Sequence, residues 1–377
     1  MLRGPRALRP RQARRLGFAL LTSAGLWLGL EAAVTVGFAE ALRAYDSPPR
    51  ATDPDLVVMP GHPYLIYEYR PGRHEERGVT IDINDFGLRG AELARPKPPG
   101  ERRLMVTGDS SVFGFGVPEG QTLVDAAAAA LGVRSVSAGL PGYSTLQTQN
   151  LLSLRAWATE PDLVVIGNLW SDNTFDRFVD KEVIATLRAW DRGPTGALWR
   201  LMQRSAVFRF ADWTLRVAPK AEQVRTVTWT RDRAPEGRMG RRRVEINDYQ
   251  ANLYQIAEAA IQRGAGVAFL MLPNREDLGG GPTDRPPAWA PYRAVLREAA
   301  AAYGAPLIDG PALFSADGRG ADALFIDEMH PTAAGQAVLG AGVAEALRGA
   351  GWPQRPLDLR RPGAPPVRAD PFVAAGP

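Results

Sequence analysis

From Arg102 to Leu347 the chain alternates short apolar runs with longer amphipathic or alanine-rich segments, and this rhythm limits the fold more than any other feature. Arg103-Leu-Met-Val-Thr reads as a short buried strand, and the Ala-rich stretch from Thr122 to Leu131 as a helix. Arg134-Ser-Val-Ser is a second strand, followed by a helix from Thr145 to Thr159. Asp162-Leu-Val-Val-Ile is a third. Gly266-Val-Ala-Phe-Leu-Met-Leu is a fourth, preceded by a helix from about Asp248 to Arg263. Ala290 to Tyr303 is helical, Pro306-Leu-Ile is a fifth strand, and Thr332 to Leu347 is the last helix. Strands that alternate with helices predict a parallel sheet covered on both faces. With 45% hydrophobic and 23% charged residues the chain has the balance of a core-burying protein, which excludes wholesale disorder, collagen and coiled coil. No internal repeat is present.

The N-terminus reads as an address. Residues 1–15 carry six arginines and no acid, and an apolar stretch runs from Leu16 to Ala39, broken only by Glu31. About 20 apolar residues span a bilayer core, so the length fits a signal anchor. Arginines ahead of it predict a cytoplasmic N-terminus and an exported remainder. Glu31 is costly in mid-membrane and less so toward the outer end. The rival reading is a cleaved signal peptide, with Leu16 to Leu30 as its apolar region and Gly37/Ala39 or Ala39/Ala41 as cleavage sites. The chain then divides into a signal segment (1–45), a Pro-rich linker and β-rich approach segment (46–100), an α/β domain (101–348) and a Pro/Arg-rich tail (349–377). In the approach segment, Tyr64-Leu-Ile-Tyr-Glu-Tyr and Val79-Thr-Ile-Asp-Ile are predicted strands joined through Pro71-Gly72 and a charged loop.

Residues 174–243 interrupt the rhythm between the third and fourth strands. This insertion holds 14 Arg and 2 Lys against 8 Asp and Glu, a net +8, together with Trp190, Trp199, Trp213 and Trp229. It reads either as a solvated cap with its own small core or as a lid that meets an anionic glycan or anionic lipid. Nucleic acid is a poor partner for an exported chain.

The absence of cysteine excludes disulfides, thiolate metal sites and a cysteine nucleophile, and with three histidines a His-only metal site would need all of them. Four polar motifs remain. Gly108-Asp109-Ser110 directly follows the first strand, at the carboxyl edge where open α/β sheets place ligands. Gly142, in Gly139-Leu-Pro-Gly142-Tyr-Ser-Thr, follows the second, and a glycine lets backbone N–H approach a reacting oxygen. Asn168, Ser171 and Asn173 follow the third and supply candidate side-chain donors. Asp327-Glu-Met-His330-Pro331 precedes the last helix. A serine nucleophile needs a base and the base an orienting carboxylate, the roles of His330 and Asp327. Each motif alone is compatible with turn formation or helix capping. A dinucleotide-binding reading of Gly108 to Gly120 fails on glycine spacing.

Together these residues resemble the SGNH/GDSL hydrolase family. Val106-Thr-Gly108-Asp109-Ser110-Ser-Val-Phe-Gly114 is similar to its nucleophile block, Gly142 to its oxyanion glycine, and Asp327-Glu-Met-His330-Pro331 to its C-terminal block. Ile83-Asn84-Asp-Phe-Gly87-Leu-Arg89 resembles the approach segment of membrane-anchored members. The likeness covers about residues 80–348 around the inserted cap. It implies a three-layer α/β/α sandwich of about five parallel strands with flavodoxin-like winding, and a serine-dependent ester hydrolase in the cell envelope. Ser110, His330 and Asp327 would be catalytic; Ser110 and Gly142 N–H groups would line the oxyanion hole; Asp109 would shape the loop. No metal or organic cofactor is implied. Where the family has Asn-Asp this chain has Ser171-Asp172, so the third oxyanion donor is Ser171, Asn168 or Asn173. Two other readings stand beside hydrolysis of a small acyl ester: an O-acyltransferase or O-acetylesterase on an envelope polysaccharide, and a non-catalytic envelope binding protein.

Overall fold

The computed structural model describes residues 10–46, 56–58, 64–176, 179–217, 241–279 and 288–368. The expectations for the linker at 47–55, for Trp229, for the side chain of Trp190 and for the tail beyond 368 lie outside the described residues. Contacts divide the chain into two compact units, Met1–Met59 with Ala189–Arg225, and Pro60–Arg188 with Thr226–Pro377.

The larger unit is built on five parallel strands: β1 (Arg103–Gly108), β2 (Arg134–Gly139), β3 (Leu163–Ile166), β4 (Gly266–Met271) and β5 (Leu307–Asp309). Their order is 2-1-3-4-5, the winding expected of a flavodoxin-like sheet. β1 and β3 are buried at every position, because helices cover both faces and a parallel sheet tolerates no polar side. β1 pairs Gly108 with Gly139 of β2 and Thr107 with Ile166 of β3, so three strand ends finish level at one edge. The helices that follow begin on polar caps: Thr122 accepts from Asp125 N, Ser144 from Gln147 N and Thr332 from Gly335 N. The predicted helix from Thr145 to Thr159 ends at Leu154 and continues as a tighter turn, Ala156–Thr159, after Arg155 leaves helical geometry at φ −153°.

One strand assignment changes. Of the Tyr64–Tyr69 run, only Glu68–Tyr69 is a strand. The antiparallel partner of Val79–Ile83 is instead Gly72–Glu76. The hairpin closes at Arg77-Gly78, both with positive φ (50° and 78°), a two-residue turn that matches strand twist. Beyond it, Asn84 Oδ1 accepts the N–H groups of Phe86 and Leu88 at 3.0 and 3.2 Å and carries the chain to a bridge between Arg89 and Ser137 of β2.

The insertion leaves the larger unit through a two-stranded stem, Phe175–Asp176 paired with Arg241–Arg242. Between them, the helices Pro194–Met202 and Ala206–Asp212 belong to the smaller unit with the N-terminal helices Pro10–Gly37 and Ala39–Asp46. Val34, Leu42 and Ala206 form its buried core, with Val207 and Phe210 packed against it. Residues 353–368 run extended along the larger unit, tied by Arg360 N to Tyr303 O (2.7 Å) and Arg368 N to Asn247 Oδ1 (2.8 Å).

Candidate active site

β1 ends at Gly108, and Asp109 turns the chain straight into a one-turn helix, Ser110–Phe113. The sheet edge is cut back to receive it. A Cβ at Gly108 would lie 2.3 Å from Val112, one at Gly139 2.7 Å, and one at Gly167 3.2 Å. Val112 therefore plugs the edge of three strands at once. Ser110 is left at the first helical position, half-buried, where its N–H has no intrahelical acceptor. Asp109 fixes this turn without facing the opening. Its Oδ1 accepts Ser111 N at 3.1 Å, and its Oδ2 accepts Trp170 N at 2.8 Å and Ser171 N at 3.3 Å. Burial pushes its carboxyl up, and those three N–H groups and the His330 charge offset this only in part.

The Asp327–His330 turn lies over Ser110. Asp327 Oδ1 accepts the backbone N–H of Met329 (3.1 Å) and of His330 (3.0 Å), so the carboxylate shapes the turn that carries the imidazole. His330 Nδ1 is 2.9 and 2.8 Å from the two Asp327 oxygens, and its Nε2 is 2.7 Å from Ser110 Oγ. Burial pushes the Asp327 carboxyl up, but the His330 hydrogen bond, its charge and the two N–H donors outweigh this and hold it at about 2. Ser111 Oγ donates to Met329 O at 2.9 Å, which ties the Ser110 helix to the His330 turn. Gln336, on the last helix, donates to Ser111 O and accepts Leu123 N, each at 2.8 Å. The Phe115 ring packs 4.9 Å from the imidazole, with the Arg77 guanidinium 4.2 Å over its centre.

Gly142 sits on the loop after β2 with φ +75°, and a Cβ there would lie 2.3 Å from the Tyr67 hydroxyl, so this position accepts only glycine. Tyr67 OH donates to Pro141 O, and Arg243 Nη1 donates to Gly142 O at 2.8 Å. Arg243 is itself buried and held by both oxygens of Asp180 at 3.0 and 2.9 Å. The Gly142 N–H has no protein acceptor among the described residues.

The three candidates after β3 separate clearly. Asn168 is fully buried, donating from Nδ2 to Thr148 Oγ1 at 2.9 Å and accepting Thr107 Oγ1 at 3.2 Å. Asn173 Nδ2 donates to Leu169 O at 2.8 Å, inside its own turn. Ser171 alone keeps an uncommitted side chain, its hydroxyl without a protein partner among the described residues. The next residue, Asp172, accepts both N–H and Oγ1 of Thr145; burial first, opposed by those bonds, raises its carboxyl to about 8.

Sequence reasoning missed the residues that brace this site. Arg89 is buried and donates to Phe113 O (2.9 Å), Gly114 O (2.8 Å) and Val117 O (2.6 Å), with Glu119 at 3.1 Å on Nε. The available signal was the approach segment Ile83-Asn84-Asp-Phe-Gly87-Leu-Arg89, which ends on this arginine. Arg243, Asp180 and Gln336 gave no local signal, since their partners are distant in sequence. Among the described residues no group of three His, Asp or Glu side chains is placed to hold a metal ion.

The sequence model of the GDSL-like lipase/acylhydrolase family matches residues 106–338, more than half of the chain. The chain belongs to this family. The family model begins inside β1 and ends within the last helix, so it spans every motif of the GDSL-like site and omits the approach segment that carries Arg89. Among solved structures, a lipase/acylhydrolase from Enterococcus faecalis is 17% identical, over 70% of this chain and 100% of that one, with a TM-score of 0.40. LAE5, an α/β hydrolase from the Lake Arreo metagenome, is 15% identical over 65% and 94%, TM-score 0.41. Axe2, an acetylxylan esterase from Geobacillus stearothermophilus, is 16% identical over 66% and 94%, TM-score 0.40. No curated protein matches the chain at a significant level.

Proposed function

We propose that this GDSL-like hydrolase cleaves esters in the cell envelope through an acyl-enzyme formed on Ser110. The observation that carries the reading is the line from Ser110 Oγ through His330 (2.7 Å) to Asp327 (2.8 Å), each within hydrogen-bond reach of the next. His330 Nε2 takes the proton as Ser110 Oγ attacks the acyl carbonyl. The same nitrogen then returns it to the leaving alcohol, and water, deprotonated by His330, cleaves the acyl-enzyme to release the acid. Asp327 fixes the imidazole tautomer through Nδ1 and remains ionised throughout, consistent with a carboxyl held at about 2. Charge that develops on the carbonyl oxygen is met by the Ser110 and Gly142 N–H groups and by the Ser171 hydroxyl. Both asparagine amides already donate within the fold, which favours Ser171 as the third donor.

The envelope location is supported by the N-terminal helix, Pro10–Gly37, which is the one helix among the described residues long and apolar enough to cross a membrane. Arg11, Arg14 and Arg15 at its start favour a cytoplasmic position for that end, with the hydrolase outside.

Turnover of a short-chain nitrophenyl ester tests the reading. Ser110→Ala should reduce kcat by roughly a million-fold with the fold intact. Retention of more than a small fraction of turnover would reject Ser110 as the nucleophile. An acyl acceptor other than water changes only the last step. Product analysis with an envelope polysaccharide present separates release of free acid from transfer to the glycan.

A further inference from the structure

The smaller unit places the insertion's helices against the apolar N-terminal helix in a way neither element explains alone. Glu31 interrupts that helix, and a carboxylate within a span is costly unless it is partnered. Its partners come from the insertion. Ser205 Oγ donates to one Glu31 oxygen and Ala206 N donates to the other at 2.6 Å. Ser205 Oγ in turn accepts Phe208 N at 3.0 Å, so one hydroxyl both starts the helix Ala206–Asp212 and latches it to the N-terminal helix. Phe210 completes the contact, its ring 4.2 Å from that of Phe38 and close to Trp213.

What this unit leaves uncovered is as informative. Fourteen of the seventeen large apolar side chains exposed among the described residues lie in it. Ten of them belong to the N-terminal segment, nine in its first helix and Phe38 in the turn that follows; the other four are Leu198, Leu201, Met202 and Leu215 of the insertion. Leu198, Leu201 and Met202 have the i, i+3, i+4 spacing of one helical face, and Leu201 and Leu215 are 62% and 76% exposed. A monomer in water does not leave such a face open. Arginines accompany it: Arg192 and Arg204 are exposed, and the segment from Ala189 to Val217 holds five Arg against two Asp.

We infer that residues 194–217 form a membrane-surface platform, latched through Ser205 and Ala206 to Glu31 at the outer end of the span. Its apolar face lies in the headgroup region of an anionic leaflet. The inference rests on the anchored reading of the N-terminal helix and goes beyond it. It gives the insertion a lipid partner in place of a substrate. Apolar side chains enter the boundary between headgroups and acyl chains while the arginines meet lipid phosphates.

The absence of native cysteine makes the test direct. Leu201→Cys and Leu215→Cys are prepared in the full chain, labelled with an environment-sensitive fluorophore and reconstituted into phosphatidylcholine vesicles with a minority of phosphatidylglycerol. Glu345→Cys, exposed on the larger unit, is the reference. A spin-labelled lipid with its nitroxide just below the headgroup should quench the labels at 201 and 215 several-fold more strongly than the label at 345. Adding Glu31→Ala should leave the chain resistant to carbonate extraction but bring quenching at 201 down toward the reference. Quenching equal to the reference, in protein whose intact mass retains residues 1–46, would overturn the platform. That includes a blue-shifted but unquenched label, the sign of a second protein copy on this face. Unchanged quenching in Glu31→Ala would overturn the latch. Carbonate extraction, or a mass lacking the N-terminal segment, would instead sink the anchored reading itself.

Discussion

At the scale of the residue, Ser110 meets a histidine and a carboxylate more than 200 positions away, and each of the three can be tested singly. Asp327→Asn keeps the shape of the carboxylate but lets the side chain donate toward Nδ1, which leaves the imidazole in the wrong tautomer. A drop in kcat of about 10⁴ is expected, with the folded spectrum unchanged. The same variant carries a pH signature. The folded carboxyl is held at about 2, below the unfolded value of about 3.9, so its stabilising contribution is complete above that unfolded value. It is lost as pH falls from about 4 to about 2. Thermal melts across that window should therefore show the gap between the native chain and Asp327→Asn closing toward acid; a gap that stays constant would mean the carboxyl is not depressed. Ser171 offers a second test. With Asn168 and Asn173 engaged elsewhere, Ser171→Ala should lower kcat by about 10²–10³ and leave KM nearly unchanged. Ser171→Asn should preserve turnover or raise it, because an amide reaches farther than a hydroxyl. Full activity in Ser171→Ala would remove the hydroxyl from the oxyanion hole.

At the scale of the element, Ser110 depends on a four-residue helix that could not stand alone. It is wedged by Val112 into the glycine-lined edge of the sheet, capped by Asp109, and held from behind by Arg89. Arg89 satisfies three carbonyls with one guanidinium. Arg89→Ala should strand them and leave Glu119 unpaired, costing about 3–5 kcal/mol in chemical denaturation, with activity lost in step. A loss below about 1 kcal/mol would show that the turn does not need this brace. The strands and helices around this turn were legible in the sequence because their apolar period is local. Ser110, Asp327 and His330 were legible because each sits at a strand end or just before a helix cap. The hairpin was misjudged because Arg77-Gly78 lacks the usual Asn or Asp of a two-residue turn, while Pro71-Gly72 looks like one. Arg243 and Gln336 were invisible for a different reason. Their hydrogen bonds run to residues about 100 and 200 positions away, which no local pattern encodes.

At the scale of the whole molecule, the chain interleaves two tasks. The α/β unit holds the candidate site; the insertion leaves it through the stem at 175–176 and 241–242 and contributes helices to the unit of the N-terminal helix. A tryptophan-rich, basic insertion suggested a lid or a self-contained cap. Its helix Ala206–Asp212 shares a core with residues 34 and 42, a pairing set by Glu31 and Phe38 that no pattern within the insertion reveals. The account of the catalytic unit nonetheless stands or falls on Ser110. Its most direct test is to treat the full chain with a fluorophosphonate, then locate the adduct by mass spectrometry of its peptides. A single adduct on Ser110 is expected, formed far more slowly in His330→Ala. An adduct on another serine, or none on the folded native chain, would contradict it.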